Sequence, residues 1–387
     1  MQVAILVSMN KKSLVSIGIL GILLALVIVI GATRLVRAPV DTVADELVGD
    51  DVTLTRQTIV GELNKPWGLA VLDDGTILFN ERAGSLQAFR DGLTTEIVTP
   101  DDLDARGEGG LLGLTVDPLF EENKYIYMCY NTTDDVRVVR WQLDLESLDV
   151  SNETVIIDGM PTAASGRHSG CRVDFGPDNF LWVASGDAAI GTTPQDPTSL
   201  GGKILRVNRD GSPALGNLNP PFDTRVYSYG HRNTQGIAFA QDSRYIGISA
   251  EHGPDVDDEL NTLQPGNFGW NPVPGYNESV PMTDLSAYPD AVESVWSSGN
   301  STVALSGATF IYGEEWGELD GRLLVATLKD KKIISFAVDD NGSLSDEQIL
   351  FEGEFGRIRS IVQANDGNIY LATDNGNSRD VITRISP

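Results

Sequence analysis

Between Trp67 and Asp374 the chain repeats one unit six times: an apolar strand-like run, a turn that usually carries Asp with Gly, Pro or Asn, and a second apolar run. The copies read WGLAVLDDGTILFNER from Trp67, GLLGLTVDPLFEENKYIYMCY from Gly110, CRVDFGPDNFLWVASGD from Cys171, GIAFAQDSRYIGISAE from Gly236, SGATFIYGEEWGELDGRLLVATLKD from Ser306 and IRSIVQANDGNIYLATD from Ile358. Self-similarity at such spacing marks an array rather than a single layered core. The starts lie about 40 to 70 residues apart, and four antiparallel strands need roughly 40 to 50 residues, with the excess left to loops. The 40 Gly, 18 Pro and recurrent Thr, Val and Ile favour many short strands. Residues 56–387 are therefore predicted to be all-β, a six-bladed β-propeller. TRQTIVGEL, just before Trp67, would bring a strand from the other end of the chain to close the ring, and the final VITRIS would pair with the first blade.

The N-terminus has a different character. After Lys11 and Lys12, residues 13–32 run twenty residues without a charge, long enough to span a bilayer. The run is longer than a usual signal h-region and no clear A-x-A site precedes Thr33, which favours an uncleaved membrane anchor over a signal peptide. Arg34 and Arg37 offset the two lysines, so charge orients the span only weakly. Residues 1–12 are then a cytoplasmic segment and the acidic stretch 33–55 a linker. With 55 acidic against 28 basic residues the net charge is −27, which repels phosphate backbones and excludes nucleic acid as a partner. Cys129 and Cys171 are the only cysteines and lie in no CxxC or Cys/His spacing; two buried free thiols are expected, although spacing leaves pairing open. Sequons at Asn131, Asn152, Asn277, Asn300 and Asn341 permit glycosylation.

In a propeller, inner-strand ends from distant parts of the chain converge on one axial pocket. His168, in SGRHSGCRVDFGPD, directly precedes the third unit, and an imidazole there suits proton abstraction near neutrality. The densest polar stretch runs YGHRNTQGIAF and then EHGPDVDDELNTLQPGNFGW, joining Arg232 and Asn233 to Asp255, Asp257, Asp258 and Glu259. So many oxygen ligands suggest calcium, though the spacing departs from an EF-hand and a solvated acidic loop is the plainer alternative. Lys329 ends a strand, and Arg357 and Arg359 alternate at period two so that both face one side. Three converging cations would suit a polyanionic ligand; surface ion pairing is the alternative.

Nine segments in order carry a family resemblance: PWGLAVLDDGTILFNERAGSL, GEGGLLGLTVDPLF, HSGCRVDFGPD, GGKILRVNRDG, YGHRNTQGIAF, EHGPDVDDELN, GNFGW, LSGATFIY and GRIRSIVQANDGNIYLATD. Over residues 58–387 the chain resembles the glucose/sorbosone, or soluble aldose sugar, dehydrogenases, six-bladed propellers carrying pyrroloquinoline quinone (PQQ) and calcium. The resemblance implies that His168 is the base that takes the proton of the sugar's anomeric hydroxyl as hydride passes to the quinone, giving a lactone, and that Arg232 polarises a quinone oxygen. It implies that Asn233, Lys329, Arg357 and Arg359 hold PQQ, and that the carbonyls of Gly253 and Pro254 meet a calcium ion bound with it. Asp258, Glu259 and the backbone of Phe268 are implied at a second, structural calcium. An external electron acceptor and an extracytoplasmic propeller follow from the same resemblance.

Three residues depart from the family pattern. Glu108 stands where a sugar-contacting glutamine is usual, Arg167 precedes the base where Asp or His is common, and Cys171 replaces a glycine. Glu108 and Arg167 are therefore candidate substrate residues that would alter the base or select a charged sugar. A calcium-dependent propeller lactonase and a non-catalytic binding propeller are the rival readings. The first would need an axial carboxylate and Asn cluster without converging cations.

Overall fold

The structure, a computed structural model, describes residues 42–48, 52–241 and 246–387. They form six sheets, antiparallel throughout except where Val226–Tyr229 pairs in parallel with Gly266–Asn267. Each predicted unit supplies the two innermost strands of one blade: Pro66–Val71 with Ile77–Glu81, Leu111–Val116 with Tyr125–Asn131, Gly170–Phe175 with Leu181–Ser185, Thr234–Phe239 with Gly247–Glu251, Leu305–Phe310 with Leu323–Thr327, and Ile358–Gln363 with Ile369–Thr373. Every innermost strand packs against that of the next blade, and the sixth against the first. The predicted ring of six blades is the observed one.

Burial explains why those two strands were readable. Held between neighbouring blades, runs such as Leu181–Ser185, Leu323–Thr327 and Ile369–Thr373 are buried at every position, so they appear as unbroken apolar segments. The outermost strands, such as Leu93–Val98 and Leu344–Leu350, are largely exposed and carry no comparable pattern. The connecting turns follow from Asp-Gly chemistry. In Leu72–Thr76, Gly75 adopts φ +83° while Asp74 Oδ1 accepts the Thr76 N–H at 2.9 Å, and Gly367 and Asp366 repeat the arrangement in blade six. Towards the axis the strands crowd. A Cβ on Gly113 would lie 2.5 Å from Cys171 O, and one on Gly307 would lie 2.8 Å from Ser360 Cα, so the inner strands need glycine where they touch.

Ring closure differs in detail from expectation. Asp380–Ser386, which contains VITRIS, is the third strand of blade six, and Val52–Leu63 pairs beside it as the fourth. The two chain ends thus meet within the last blade rather than the first. Thr42–Val48 adds a further edge strand to that blade, so part of the stretch read as linker is paired backbone. The expected span 13–32 lies outside the described residues; among the described residues no helix is long and apolar enough to cross a membrane.

The cysteines are not free thiols. Cys129, in blade two, and Cys171, in blade three, are both fully buried and form a disulfide. Their sequence separation of 42 gave no hint, because adjacency arises only when neighbouring blades pack. Asn131 is also buried, donating its amide to Thr162 Oγ1 at 3.1 Å and Ser169 Oγ at 3.0 Å, which removes one of the five sequons as a surface site.

Candidate active site

Because the first two strands of a blade are antiparallel, the start of each innermost strand and the end of its neighbour reach the same end of the ring. His168, Arg232 and Arg357 sit just before innermost strands, and Arg82, Asp187, His252 and Asp374 just after second strands. Seven separate stretches of chain therefore deliver polar groups to one end of the ring. A cavity of about 350 Å³ lies there, its lining including Lys65, Trp67, Arg82, Glu108, Gln235, His252, Arg357, Arg359 and Asp374.

His168 is 3% exposed and takes φ +51°, a costly conformation for a side chain of this size. The Glu108 carboxylate holds it by accepting the His168 N–H at 3.0 Å. The ring Nδ1 lies 2.8 Å from Asp187 Oδ1, so donation to that carboxylate leaves the Nε2 lone pair as the proton acceptor. Arg167 points an amino group at Nε2 from 3.3 Å. Asp187 Oδ2 in turn accepts from Trp270 Nε1 at 2.8 Å and from the Tyr276 hydroxyl at 2.7 Å. Burial, then Asp187, push the Tyr276 phenol upward, so it remains a donor.

Arg232 is fixed by a second buried pair. Its backbone N–H donates to Glu251, whose other oxygen lies 2.9 Å from His231 Nδ1, and its guanidinium donates to His252 O at 2.9 Å and Glu278 Oε1 at 2.7 Å. Glu278 also accepts from Arg167 at 2.9 Å, so one carboxylate joins the predicted polarising arginine to the predicted substrate arginine. The Arg232 Nε is buried without a partner among the described residues. His252 is neutral: burial, reinforced by Arg359 and Arg232, pushes it down to about 3.

Arg359 pairs with Asp374 at 2.6 Å and bonds Gln235, while Arg357 donates to Asp374 O at 3.1 Å. Both predicted arginines thus line the cavity. Asn233 is buried outside that lining, its Oδ1 accepting from Gly170 N at 3.3 Å. Lys329 does not join this group; it is exposed, donates to Thr302 Oγ1 at 2.9 Å and lies outside the cavity lining. Below the pocket, Arg172 stacks 4.2 Å over Trp67 and donates to Gln235 O and Ser360 Oγ. It separates the pocket from a second cavity at the opposite end of the axis.

The residues predicted at calcium divide in two. Asp258 accepts backbone N–H groups from Gly253, Val303 and Ala304 at 2.8, 2.7 and 2.6 Å, a donor-saturated carboxylate that ties a loop and does not suit a cation. Glu259 does suit one. It is buried next to Glu251, its carboxyl is pushed up to about 8 by burial with Glu251 and Asp257, and the neighbouring Asn261 Oδ1 is buried without a partner among the described residues. Such an excess of buried acceptor oxygens fits a divalent ion, although no group of three or more His, Cys, Asp or Glu is placed to hold a metal among the described residues. Phe268 is buried with its ring stacked 4.4 Å from His231. The Gly253 turn is tight enough that a Cβ would meet Asp257 O at 2.6 Å, and neither the Gly253 nor the Pro254 carbonyl accepts a hydrogen bond among the described residues.

Sequence reasoning missed Asp187, Trp270, Tyr276, Glu278, Lys65 and Arg82. Asp187 had a signal, the Asp ending VASGD at an apolar strand terminus. Tyr276 and Glu278 had none, lying in a loop without periodicity.

A propeller whose axis carries a carboxylate-oriented imidazole beside a cation-lined cavity defines a class, and comparison with known proteins supplies the family. The Glucose / Sorbosone dehydrogenase family matches residues 63–383, and the chain belongs to that family of oxidoreductases. It is 28% identical to the aldose sugar dehydrogenase YliI of Escherichia coli across 90% of this chain and 97% of that protein. It is 30% identical to quinoprotein glucose dehydrogenase B of Acinetobacter calcoaceticus, across 58% of this chain and 53% of that one. The PQQ-bound aldose sugar dehydrogenase of Streptomyces coelicolor superposes with a TM-score of 0.73 at 28% identity, covering 90% of this chain and all of that structure.

Proposed function

We propose that this chain oxidises aldose sugars at C1 to lactones, with PQQ as cofactor and His168 as general base. The observation that carries the reading is the His168–Asp187 pair beside a cavity rich in cations within a chain of charge −27. The relatives' quinone and aldose chemistry supports it. Bound PQQ supplies the two-electron acceptor for the hydride lost from C1, and an external acceptor restores it.

The protein's own part follows from the geometry. His168 Nε2 takes the C1 hydroxyl proton while Asp187, fixed by Trp270 and Tyr276, stabilises the imidazolium. Arg232 offers its guanidinium to developing negative charge. Arg357, Arg359 and Asn233 would hold the cofactor's carboxylates and carbonyls; Lys329 would need to turn inward to join them. The Gly253 and Pro254 carbonyls would hold a calcium ion beside the cofactor, and Glu259 with Asn261 and the Phe268 carbonyl a structural one. Glu108 and Arg167 flank the base and would contact the sugar.

Residues 13–32 are proposed to anchor the chain in a membrane with the propeller outside the cytoplasm. The buried Cys129–Cys171 disulfide supports that side, since such bonds persist in oxidising compartments. Loading His168→Gln with PQQ and calcium tests the mechanism. Sugar turnover is expected to fall by about 10²–10⁴ with PQQ affinity retained; near wild-type turnover contradicts His168 as the base.

A further inference from the structure

Two cations in the cavity wall have no role in the account so far. Lys65 precedes the innermost strand of blade one and Arg82 follows the second strand of that blade, so both reach the cavity from the side of the first blade. Their backbones are fixed. The Arg82 N–H donates to Lys65 O at 3.1 Å, the Arg82 carbonyl accepts from Leu111 N at 2.8 Å, and Lys65 N–H donates to Asp380 Oδ2 at 2.7 Å. A Cβ on Gly110 would come within 2.9 Å of Arg82 Cγ, so only glycine there leaves room for the arginine stem.

Their charged ends, by contrast, are unpaired. Neither the Arg82 guanidinium nor the Lys65 ammonium has a hydrogen-bond or ion-pair partner among the described residues. The cavity wall holds the cations Lys65, Arg82, Arg357 and Arg359 against the anions Glu108 and Asp374. Asp374 is committed to Arg359 and Glu108 to the His168 N–H. Burial lowers the affinity of the Arg82 guanidinium for its proton, and Arg359 and Arg357 lower it further against the opposing pull of Asp374 and Glu108. Half-buried like charges without counter-ions are unfavourable in the empty pocket and become favourable once an anion enters.

We propose that Lys65 and Arg82 grip a carboxylate of the bound cofactor from blade one, alongside Arg357 and Arg359 of the adjoining blade six. This rests on the quinone reading above. A flat polycarboxylate has acidic groups at more than one edge, and the two cation pairs stand on different blades. Arg82 supplies a planar fork and Lys65 a point charge. An anionic sugar suits the pair less, because the Glu108 carboxylate, bonded to the His168 N–H, lines the same cavity.

The test is PQQ affinity of the full-length chain at saturating calcium without sugar, followed by absorbance, so turnover plays no part. Arg82→Gln is expected to weaken binding about tenfold or more, and Lys65→Gln/Arg82→Gln further, with a shallower dependence on salt. Arg82→Lys retains more affinity than Arg82→Gln. The thermal midpoint of the cofactor-free variants stays near wild type or rises, since a repelled charge has been removed. Should Arg82→Gln not fold, Lys65→Gln alone still weakens binding and flattens the salt slope. Wild-type affinity and salt slope in the variants would overturn the proposal while leaving the quinone reading intact; absence of binding by the wild type would overturn both.

Discussion

Asp187 accepts four hydrogen bonds, from His168 Nδ1, Ala189 N, Trp270 Nε1 and the Tyr276 hydroxyl, and that sharing governs how strongly it can pull on the imidazole. Each donor also fixes the carboxylate, so losing one leaves Asp187 freer to turn away from the imidazole. Tyr276→Phe is therefore expected to lower sugar turnover about five- to tenfold, the worth of one hydrogen bond, with PQQ affinity retained. Unchanged turnover would show that Tyr276 only fills space. His168 and the Arg357/Arg359 pair were legible because each sits in a short motif at a strand end. Tyr276 and Glu278 were not, because their relation to the base arises from a loop folding back over another blade. The Gly275 carbonyl packs onto Gly191, a close approach that only a glycine permits, and neither residue announces it in sequence.

Among the elements, the loop from Ala188 to Leu200 decides whether Asp187 stays aimed, and one buried lysine holds it. Lys203 is fully buried and its ammonium donates to the carbonyls of Thr193, Pro194 and Gly201 at 2.6, 3.1 and 2.8 Å. Thr193 Oγ1 then donates to Asp187 O at 2.8 Å. Lys203→Met would leave the buried Thr193 and Gly201 carbonyls unpaired, while Pro194 O keeps the Gly230 N–H, a cost of about 2 kcal/mol or more. Urea denaturation should show that loss together with reduced turnover; unchanged stability would mean water replaces the ammonium. GGKILRVNRDG stood out in the sequence only as a motif, since carbonyl partners supplied by a preceding loop leave no side-chain signature. Innermost strands were readable for the opposite reason, being apolar on both faces. Thr42–Val48, an acidic edge strand, read as linker because edge strands need no apolar alternation.

For the whole molecule, the ring sets the chemistry by bringing distant strand ends to one axis, and it closes by pairing Val52–Leu63 with Asp380–Ser386. The repeat made that closure foreseeable, although it placed the C-terminal strand in the wrong blade. The disulfide between blades two and three was beyond reach, because it depends on inter-blade contact. In a chain of net charge −27, the cation-rich axial cavity is the place that favours an anionic ligand. The most direct test is to load the purified chain with PQQ and calcium, offer neutral aldoses and follow reduction of an artificial electron acceptor. Sugar-dependent reduction that requires PQQ, with lactone as product, is the predicted result; tight PQQ binding without reduction by any aldose would contradict the assignment as a sugar dehydrogenase.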